Sequence, residues 1–240
     1  MSRKLRNKPP RKSRVNHNPV GHGVQLNTRE DFLRFTETAY NESVTKGWLG
    51  IHEFDATPWL DPIEYRKLVQ NKGTHQVARV GEGVEHHAIR NTHVWALEHP
   101  GSVDPIREIY QHFNNSLYHY QSLDIQTPQM CVYYGHEKFQ SGNGHYGWHK
   151  DTHIPRGPYQ RILSMSIALN DATEYEGGQL QLLTGLTVDG LPKMKTADLS
   201  KAGKGVIFPS YMDHRVTPVT RGTRATCVTW LFGSYKHLDK

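Results

Sequence analysis

The sequence predicts a mainly β protein with α-helical support, and two features of its 240 residues indicate this class. From about Gln129 onward, short alternating or β-rich runs are separated by glycine, asparagine, aspartate and proline. Before that point, apolar residues recur at helical spacing in segments that open with polar caps. Helices followed by a run of antiparallel strands favour a β-sandwich or barrel that is buttressed by helices.

Three amphipathic segments in the first half of the chain are predicted to be helices. They are Asn27–Val44, Asp61–Asn71 and Asp104–Tyr120. The second and third each begin with Asp-Pro, in which the aspartate can cap the helix and the proline can occupy its first position. Between these two segments, His87–Glu98 is predicted to be a strand.

Five further strands are predicted in the second half of the chain. They are Met130–Gly135, Arg161–Asn170, Gly178–Thr184, Gly203–Ser210 and Arg224–Gly233. The two cysteines, Cys131 and Cys227, both fall inside these strands, where buried and reduced thiols are expected. Two cysteines are too few for a disulfide framework, which favours a reducing compartment.

The basic charge of the chain is concentrated at its N-terminus. Residues 1–23 contain seven lysines and arginines and no acid, which leaves 22 basic and 23 acidic residues in the rest. A tail of this composition, assigned to residues 1–25, is predicted to be disordered, and its basic residues between positions 3 and 14 could contact nucleic acid. No apolar run approaches the roughly 18 residues of a membrane span. No hydrophobic region follows the basic start, so a cytoplasmic protein is expected.

The stretch GWHKDTH, residues 147–153, raises the question of a metal site. His149 and Asp151 are two residues apart, so on a strand they would point to the same face. Further along, one strand is predicted to end near His214 and the next to begin near Arg224, which would return both residues to the same end of one sheet. Two imidazoles and one carboxylate that leave half of the coordination sphere open suit non-heme Fe(II). Arg224 would offer a bidentate fork to a nearby carboxylate.

Five sequence features follow one another in order between residues 129 and 233. They are Tyr146-x-x-His149-x-Asp151, Glu176-Gly177-Gly178, His214, Arg224 and Trp230. In these features the segment resembles the Fe(II)/2-oxoglutarate-dependent dioxygenases, in particular their prolyl 4-hydroxylase-like branch. The piece HRVTPVTRGTR is especially similar to the bacterial PKHD-type hydroxylases.

This resemblance implies a double-stranded β-helix, which is a jelly-roll, cupin-like core, flanked by N-terminal helices. It implies one dioxygenase domain over residues 26–240, with helical support in 26–128 and the catalytic β-core in 129–235. The implied cofactors are Fe(II) and 2-oxoglutarate. The implied partners are O2 as co-substrate and ascorbate as a reductant that rescues over-oxidised iron.

The resemblance also assigns the catalytic metal ligands and the main anchor of the co-substrate. His149, Asp151 and His214 are expected to hold Fe(II), and Arg224 is expected to bind the far carboxylate of 2-oxoglutarate. Trp230 is expected on the same face as Arg224, either in the core or beside the cofactor.

Two positions depart from the family pattern or leave a choice open. In many animal relatives a tyrosine assists the arginine, but Ala168 stands at the matching position, so a serine on the same face, Ser166, is expected to contribute instead. The pocket tyrosine of the family corresponds to Tyr133 or to its neighbour Tyr134, and Tyr133 is preferred.

The substrate is the least determined part of the expected function. The resemblance points first to a prolyl residue in a peptide or protein, with the glycine-rich loop His136–Gly147 as a candidate lid. A free amino acid, another small metabolite or a nucleic-acid base are alternatives on the same fold. A cupin-like metal protein that does not use 2-oxoglutarate and a nucleic-acid-binding module built on the basic tail are further alternatives.

Overall fold

Two antiparallel sheets that face each other form the jelly-roll core, and the predicted fold class is confirmed. The computed structural model describes residues 50–78, 86–136, 142–152 and 159–237. Within them the strands are β1 (His52–Asp55), β2 (Thr74–Val77), β3 (Arg90–Asn91), β4 (His93–Ala96), β5 (Tyr120–Ile125), β6 (Gln129–Tyr134), β7 (His145–His149), β8 (Gln160–Ala168), β9 (Tyr175–Gly177), β10 (Leu180–Leu186), β11 (Pro192–Thr196), β12 (Lys204–Pro209), β13 (His214–Val216) and β14 (Val219–His237). The helices are α1 (Pro62–Lys72) and α2 (Pro100–Phe113).

The larger sheet has nine strands and the smaller sheet has five. The order of the larger sheet is β1-β12-β8-β14-β6-β4-β2, and β5 and β9 each pair with β14. The order of the smaller sheet is β11-β10-β13-β7-β3. Neighbours in both sheets that are distant in sequence show that the chain crosses between the sheets, as a jelly-roll requires.

Helix α1 begins and ends close to the predicted positions. The Asp61 carboxylate accepts hydrogen bonds from the backbone N–H groups of Ile63 and Glu64, at 2.8 and 3.0 Å. Pro62 lies at the first helical position. A backbone N–H at this position makes no hydrogen bond within the helix, so its absence in proline costs nothing.

Helix α2 begins five residues before the expected start, at Pro100 and not at Pro105. A second X-Pro pair, His99-Pro100, opens the helix, and the His99 ring accepts a hydrogen bond from the N–H of Gly101 at 3.0 Å. Pro105 therefore lies inside the helix and does not start it. At its end, α2 passes into a π-helical turn over Asn114–Tyr118, and His119 closes that turn in the left-handed region with φ 53°.

The helices pack on one face of the larger sheet, and the smaller sheet packs on the other. Strand β6 shows this division, because Met130 and Val132 contact the helical core whereas Cys131 and Tyr133 lie in the core between the sheets. The central strand β8 is buried along nearly its whole length. Strands that are covered on both faces have this continuous burial.

The N-terminal half supplies more strands than the sequence predicts. Besides its two helices, the region 50–128 contains β1 to β5, so the predicted helical support is only partly helical. The predicted strand Arg224–Gly233 is the middle of the 19-residue strand β14. Short strands such as β1 and β3 gain their stability from pairing with distant partners, and this pairing leaves little local signal.

Several sequence-based expectations lie outside the described residues. These are the basic tail with its nucleic-acid contacts, the helix Asn27–Val44 and the middle of the loop His136–Gly147. In the part of the chain that is described, helices are too short or too polar to cross a bilayer.

Candidate metal site and its pocket

Pairing between β7 and β13 places two of the predicted metal ligands opposite each other. His149, the last residue of β7, is the register partner of His214, the first residue of β13. Asp151 follows two residues later, and its backbone N–H donates to the carbonyl of Ser210 at 2.9 Å. One potential ligand atom from each of the three side chains lies within 4.8 Å of the others, so the structure brings the predicted cluster together.

The ring nitrogens that face away from the cluster are held by backbone carbonyls. His149 Nδ1 lies 2.8 Å from the carbonyl oxygen of Gly147, and His214 Nδ1 lies 3.0 Å from that of Met212. A carbonyl can only accept, so both Nδ1 atoms carry a proton, and in the neutral ring the lone pair is on Nε2. Such outer hydrogen bonds orient metal-binding imidazoles.

The Asp151 carboxylate lies between the two free imidazole nitrogens. Its Oδ1 is 3.6 Å from His149 Nε2 and its Oδ2 is 3.4 Å from His214 Nε2. Two donor atoms at right angles, each about 2.1 Å from a metal, would be about 3 Å apart. The cluster therefore has nearly the spacing that a shared metal ion requires.

A serine that was assigned no metal-site role from the sequence orients this carboxylate. Ser164 donates a hydrogen bond of 2.7 Å to Asp151 Oδ2, and its hydroxyl also lies 2.9 Å from that of Ser210. Burial favours the neutral acid, but electrostatic interaction with His214, His149 and Arg161 outweighs it and holds the pKa of Asp151 below its usual range. The carboxylate is thus an anion ready to ligate a cation.

The imidazole of His149 is kept neutral by its surroundings. Burial, together with the neighbouring His214, lowers the pKa of His149 well below its usual value. The ring of Tyr146 stacks on that of His149 with centroids 3.5 Å apart. A neutral imidazole is the form that coordinates metal ions.

Arg224 lies on the larger sheet, whereas His214 lies on the smaller one. The expectation that one sheet carries both residues is wrong, because the chain crosses between sheets in the turn before Val219. Arg224 nevertheless lines the same pocket as the metal-ligand cluster, since the two sheets face each other. It is 2% exposed, and its Nη1 donates a long hydrogen bond of 3.4 Å to Thr226. Its buried Nε has no hydrogen-bond partner among the described residues.

The glycine pair at 177–178 does more than form a turn. Gly177 and Gly178 have φ values of 76° and 62°, in the left-handed region that favours glycine. A Cβ atom on Gly178 would lie 2.7 Å from Cδ of Arg224 and 2.8 Å from Cγ2 of Val219. Gly178 thus leaves the space that the Arg224 side chain occupies.

The structure separates the two candidate pocket tyrosines. Tyr133 lines the pocket and is the register partner of Arg224, whose guanidinium lies 5.2 Å from the Tyr133 ring centroid. Tyr134 points to the other face and packs edge-on against His93. Ser166 also lines the pocket, as the alternation along β8 predicts, and Trp230 does so as well.

Two arginines near the site were missed by sequence reasoning. Arg90 lines the pocket from β3, and Arg161 lies with its guanidinium 3.7 Å from the ring centroid of Trp230. Arg161 also donates to the side-chain oxygen of Gln126 at 3.0 and 2.7 Å. No local motif marks Arg90, because only the pairing of β3 with β7 brings it to the site.

The fold and the site together define a class of protein. A jelly-roll core holds a buried cluster of two imidazoles and one carboxylate, with a buried guanidinium elsewhere in the same pocket. Two histidines and a carboxylate with open positions are the ligand set of non-heme iron oxygenases.

Comparison with known proteins shows what this part of the chain is similar to. Residues 129–232 match the family model of the 2OG-Fe(II) oxygenase superfamily, so the resemblance predicted from the sequence is confirmed. A PKHD-type hydroxylase from Azoarcus is 35% identical over 98 residues, which are 39% of this chain and 40% of that protein. A PKHD-type hydroxylase from Alteromonas mediterranea is 37% identical over 91 residues, which are 36% of this chain and 37% of that protein. The chain thus spans about two fifths of the length of the curated relatives that it matches.

Solved structures extend the likeness of the fold beyond this segment. A prolyl hydroxylase from Trichoplax adhaerens, in complex with a peptide fragment of hypoxia inducible factor, has a TM-score of 0.57 at 18% identity. The match covers 85% of this chain and 91% of the chain of that hydroxylase. An α-ketoglutarate-dependent epimerase from nogalamycin biosynthesis has a TM-score of 0.53 at 15% identity, covering 85% of this chain and 83% of its own. At these identities the likeness describes the fold alone.

Proposed function

We propose that this protein is an Fe(II)- and 2-oxoglutarate-dependent dioxygenase that hydroxylates its substrate. The observation that carries the proposal is the buried cluster of His149, Asp151 and His214 in one pocket with the buried guanidinium of Arg224. When bound there, iron and 2-oxoglutarate would supply the oxidising chemistry that inserts one oxygen atom of O2 into a C–H bond, with release of succinate and CO2. The remaining roles belong to the side chains of the pocket.

The metal ligands are prepared by the protein before a metal binds. Two backbone carbonyls fix the tautomers of His149 and His214, and Ser164 fixes the orientation of the Asp151 carboxylate. Prearranged ligands lose little conformational entropy when the metal binds, which favours affinity.

Arg224 is assigned the far carboxylate of 2-oxoglutarate. A buried guanidinium is stabilised when a carboxylate pairs with it, and the unpartnered Nε of Arg224 is one of the two donors of a bidentate fork. Tyr133 and Ser166 are proposed as further co-substrate contacts, because both line the pocket that contains Arg224. Ascorbate, as a reductant for over-oxidised iron, belongs to the same proposal.

A prolyl residue of a peptide or protein is the proposed substrate. The PKHD-type hydroxylases that match at about 35% identity and the fold shared with a peptide-bound prolyl hydroxylase support this choice. The pocket lining includes the aromatic side chains of Tyr146 and Trp230, and the apolar CH2 groups of a pyrrolidine ring pack well on such surfaces. A cytoplasmic location is proposed with it, since both cysteines are buried and free.

A second candidate is a dioxygenase that acts on a small molecule. The likeness to the nogalamycin epimerase is nearly as high as that to the prolyl hydroxylase, so the fold does not select a peptide substrate.

The first experiment separates cofactor use from substrate choice. Anaerobic titration of 2-oxoglutarate into Fe(II)-loaded protein is expected to produce the visible charge-transfer absorption of a chelated iron centre. The His214→Ala variant should lose this absorption, and Arg224→Met should need much more 2-oxoglutarate to reach it. Metal binding without any response to 2-oxoglutarate would instead support a cupin-like metal protein.

The second experiment asks for the substrate. Proline-containing peptides and free L-proline are incubated with Fe(II), 2-oxoglutarate and ascorbate, and succinate and the mass of each candidate are measured. Gain of one oxygen atom on a prolyl residue, matched by one succinate, is expected. Succinate formation that is matched by oxygen gain on free L-proline, but not on peptides, would favour a small-molecule substrate.

A further inference from the structure

Arg90 is held in place by the strand that carries a metal ligand. Its strand β3 pairs with β7, and Arg90 is the register partner of Tyr146. Next to it, the carbonyl of Ile89 accepts a hydrogen bond from the N–H of Gly147 at 2.8 Å. On the other side, Asn91 Nδ2 donates to the carbonyls of Gly142 and Asn143, at 3.0 and 3.2 Å. Hydrogen bonds of both neighbouring residues therefore hold the backbone at Arg90, which defines the position of its Cα atom beside the pocket.

The guanidinium of Arg90 lies inside the pocket with few polar partners. It is 4.6 Å from the ring centroid of Tyr146, and its Nη2 contacts the sulfur of Cys131 at 3.7 Å. Its Nε is buried and has no hydrogen-bond partner among the described residues. A thiol is a weak acceptor and an aromatic face accepts no strong hydrogen bond, so the described residues offer this guanidinium no strong hydrogen-bond acceptor.

The charges that line the pocket are unbalanced. Among the described residues, its lining contains two guanidinium groups, Arg90 and Arg224, and one carboxylate, Asp151. A divalent metal at Asp151 would add two positive charges, and a 2-oxoglutarate dianion would compensate only part of the total. One positive charge would remain in a pocket whose lining is mainly apolar, where an unpaired cation is costly.

We propose that Arg90 binds a carboxylate group in the pocket, as a second anion anchor beside Arg224. Cys131 contacts Arg90 and the Tyr133 ring lies 5.2 Å from the Arg224 guanidinium, and both side chains line the same pocket as the two arginines. The carboxylate belongs either to 2-oxoglutarate or to a substrate with a free carboxylate, such as an amino acid or a C-terminal residue. The first of these two sources rests on the proposed function, whereas the second needs only a carboxylate ligand.

The competing explanation is that Arg90 only packs against Tyr146. The matched control is Arg215, which lies on the same sheet with its guanidinium 4.7 Å from the ring centroid of Trp148. Arg215 donates to the side-chain oxygen of Gln181 at 2.8 Å and is not part of the pocket lining. If stacking on an aromatic ring were the whole role, Arg90→Met and Arg215→Met would have similar effects.

The first arm of the test measures 2-oxoglutarate binding to the full chain loaded with Mn(II), by isothermal titration calorimetry. Loss of a charge-assisted hydrogen bond is expected to raise the Kd of Arg90→Met about tenfold or more, with a smaller rise for Arg90→Lys. Arg215→Met should match the wild type, and Arg224→Met serves as the reference for a lost anchor.

The second arm compares N-acetyl-L-proline with N-acetyl-L-prolinamide, in the presence of saturating 2-oxoglutarate. If the substrate supplies the carboxylate, the wild type should bind the acid about tenfold more tightly than the amide, and Arg90→Met should remove this preference. Thermal unfolding is recorded for every variant. Arg90→Lys keeps the charge and the apolar stem, so it tests the idea even when the methionine variant fails to fold.

The two arms separate failure of this inference from failure of the proposed function. If Arg224→Met weakens 2-oxoglutarate binding while the Arg90 variants change neither arm, the carboxylate role of Arg90 is refuted and the dioxygenase proposal stands. If the wild type does not bind 2-oxoglutarate, the dioxygenase proposal fails. In that case the acid-to-amide preference, measured without 2-oxoglutarate, decides the role of Arg90.

Discussion

The metal-ligand end and the guanidinium end of the pocket differ in how far the protein satisfies its own polar groups. At the metal-ligand end, both Nδ1 atoms and the Asp151 carboxylate have hydrogen-bond partners at 2.7–3.0 Å. At the guanidinium end, the buried Nε atoms of Arg90 and Arg224 have no hydrogen-bond partner among the described residues.

This difference indicates two strategies of ligand binding in one pocket. A metal ion binds lone pairs that point in defined directions. Hydrogen bonds from the protein therefore hold the ligating side chains in place before the metal binds. A carboxylate binds to hydrogen-bond donors, so the Nε–H groups of the two arginines remain available for the ligand. The metal-ligand end should therefore be stable without its ligand, whereas the guanidinium end should be stabilised when an anion binds.

The largest expected effect lies at the metal-ligand end. Replacing His214 with alanine removes one of three ligands, so metal affinity should fall by more than the roughly 10- to 100-fold that loss of an outer partner costs. Titration with Mn(II), followed by electron paramagnetic resonance, measures the change. The exposed His112 provides the control, and equal losses in His112→Ala and His214→Ala would contradict the assignment.

The next largest effect concerns the guanidinium end. Arg224→Met keeps most of the side-chain volume but removes the donors, so the Kd of 2-oxoglutarate should rise by about 10- to 100-fold. Metal affinity should stay the same, because Arg224 contacts no metal ligand through a hydrogen bond. A parallel fall in metal affinity would show that the two ends are not independent.

A pair of glycine variants sharpens the comparison through packing. Gly178→Ala should cost about 1–2 kcal/mol for its left-handed backbone and about 1–3 kcal/mol for the contact with Arg224. Gly190→Ala has a similar φ of 70° and no atom within 4 Å, so only the backbone cost applies. Urea unfolding measures both variants. Only Gly178→Ala should also weaken 2-oxoglutarate binding, and equal behaviour of the two would exclude a packing role for Gly178.

The smallest expected effect is a difference in thiol reactivity. Burial raises the pKa of Cys227 to about 12 and also raises the pKa of Cys131, so both thiols stay protonated near the ordinary thiol pKa of about 8.5. Because the folded pKa is raised, Cys227 favours the fold below about 8.5, and this contribution is lost as the pH rises towards 12. Alkylation of Cys227 should therefore follow global unfolding.

Cys131 lines the pocket, so it should react faster than Cys227 in the folded protein. Bound 2-oxoglutarate should slow the reaction of Cys131 and leave Cys227 unchanged. Mass spectrometry of alkylated peptides over time distinguishes the two sites. Protection of both cysteines to the same extent would indicate a global stabilisation, without a local effect at the guanidinium end.

Much of the site was predictable because it depends on local order in the sequence. His149 and Asp151 lie on or just beyond one strand, and period-two alternation along β8 places Ser164 and Ser166 on the pocket side. The cap at Asp61 was also predictable, since the N-cap, proline and first turn are neighbours in the chain.

The start of α2 was mispredicted because the sequence contains two pairs that could begin the helix. They are His99-Pro100 and Asp104-Pro105, which lie five residues apart. Asp104-Pro105 has the better capping residue, yet the helix begins at Pro100. The earlier start buries Ser102, whose backbone carbonyl accepts a hydrogen bond of 3.1 Å from the Tyr65 hydroxyl on helix α1. A tertiary gain of this kind outweighs the local preference for aspartate as a cap.

The sequence by itself determined the fold class, the set of metal-ligand candidates and the arginine that is proposed to bind a carboxylate. These follow from residue periodicity and from the order of a few motifs along the chain. The tertiary structure alone decided that His214 and Arg224 lie on different sheets, that Gly178 makes room for Arg224 and that Arg90 reaches the pocket. Each of these depends on contacts between segments far apart in the chain, whose pairing is set by packing of the whole core and leaves no local pattern.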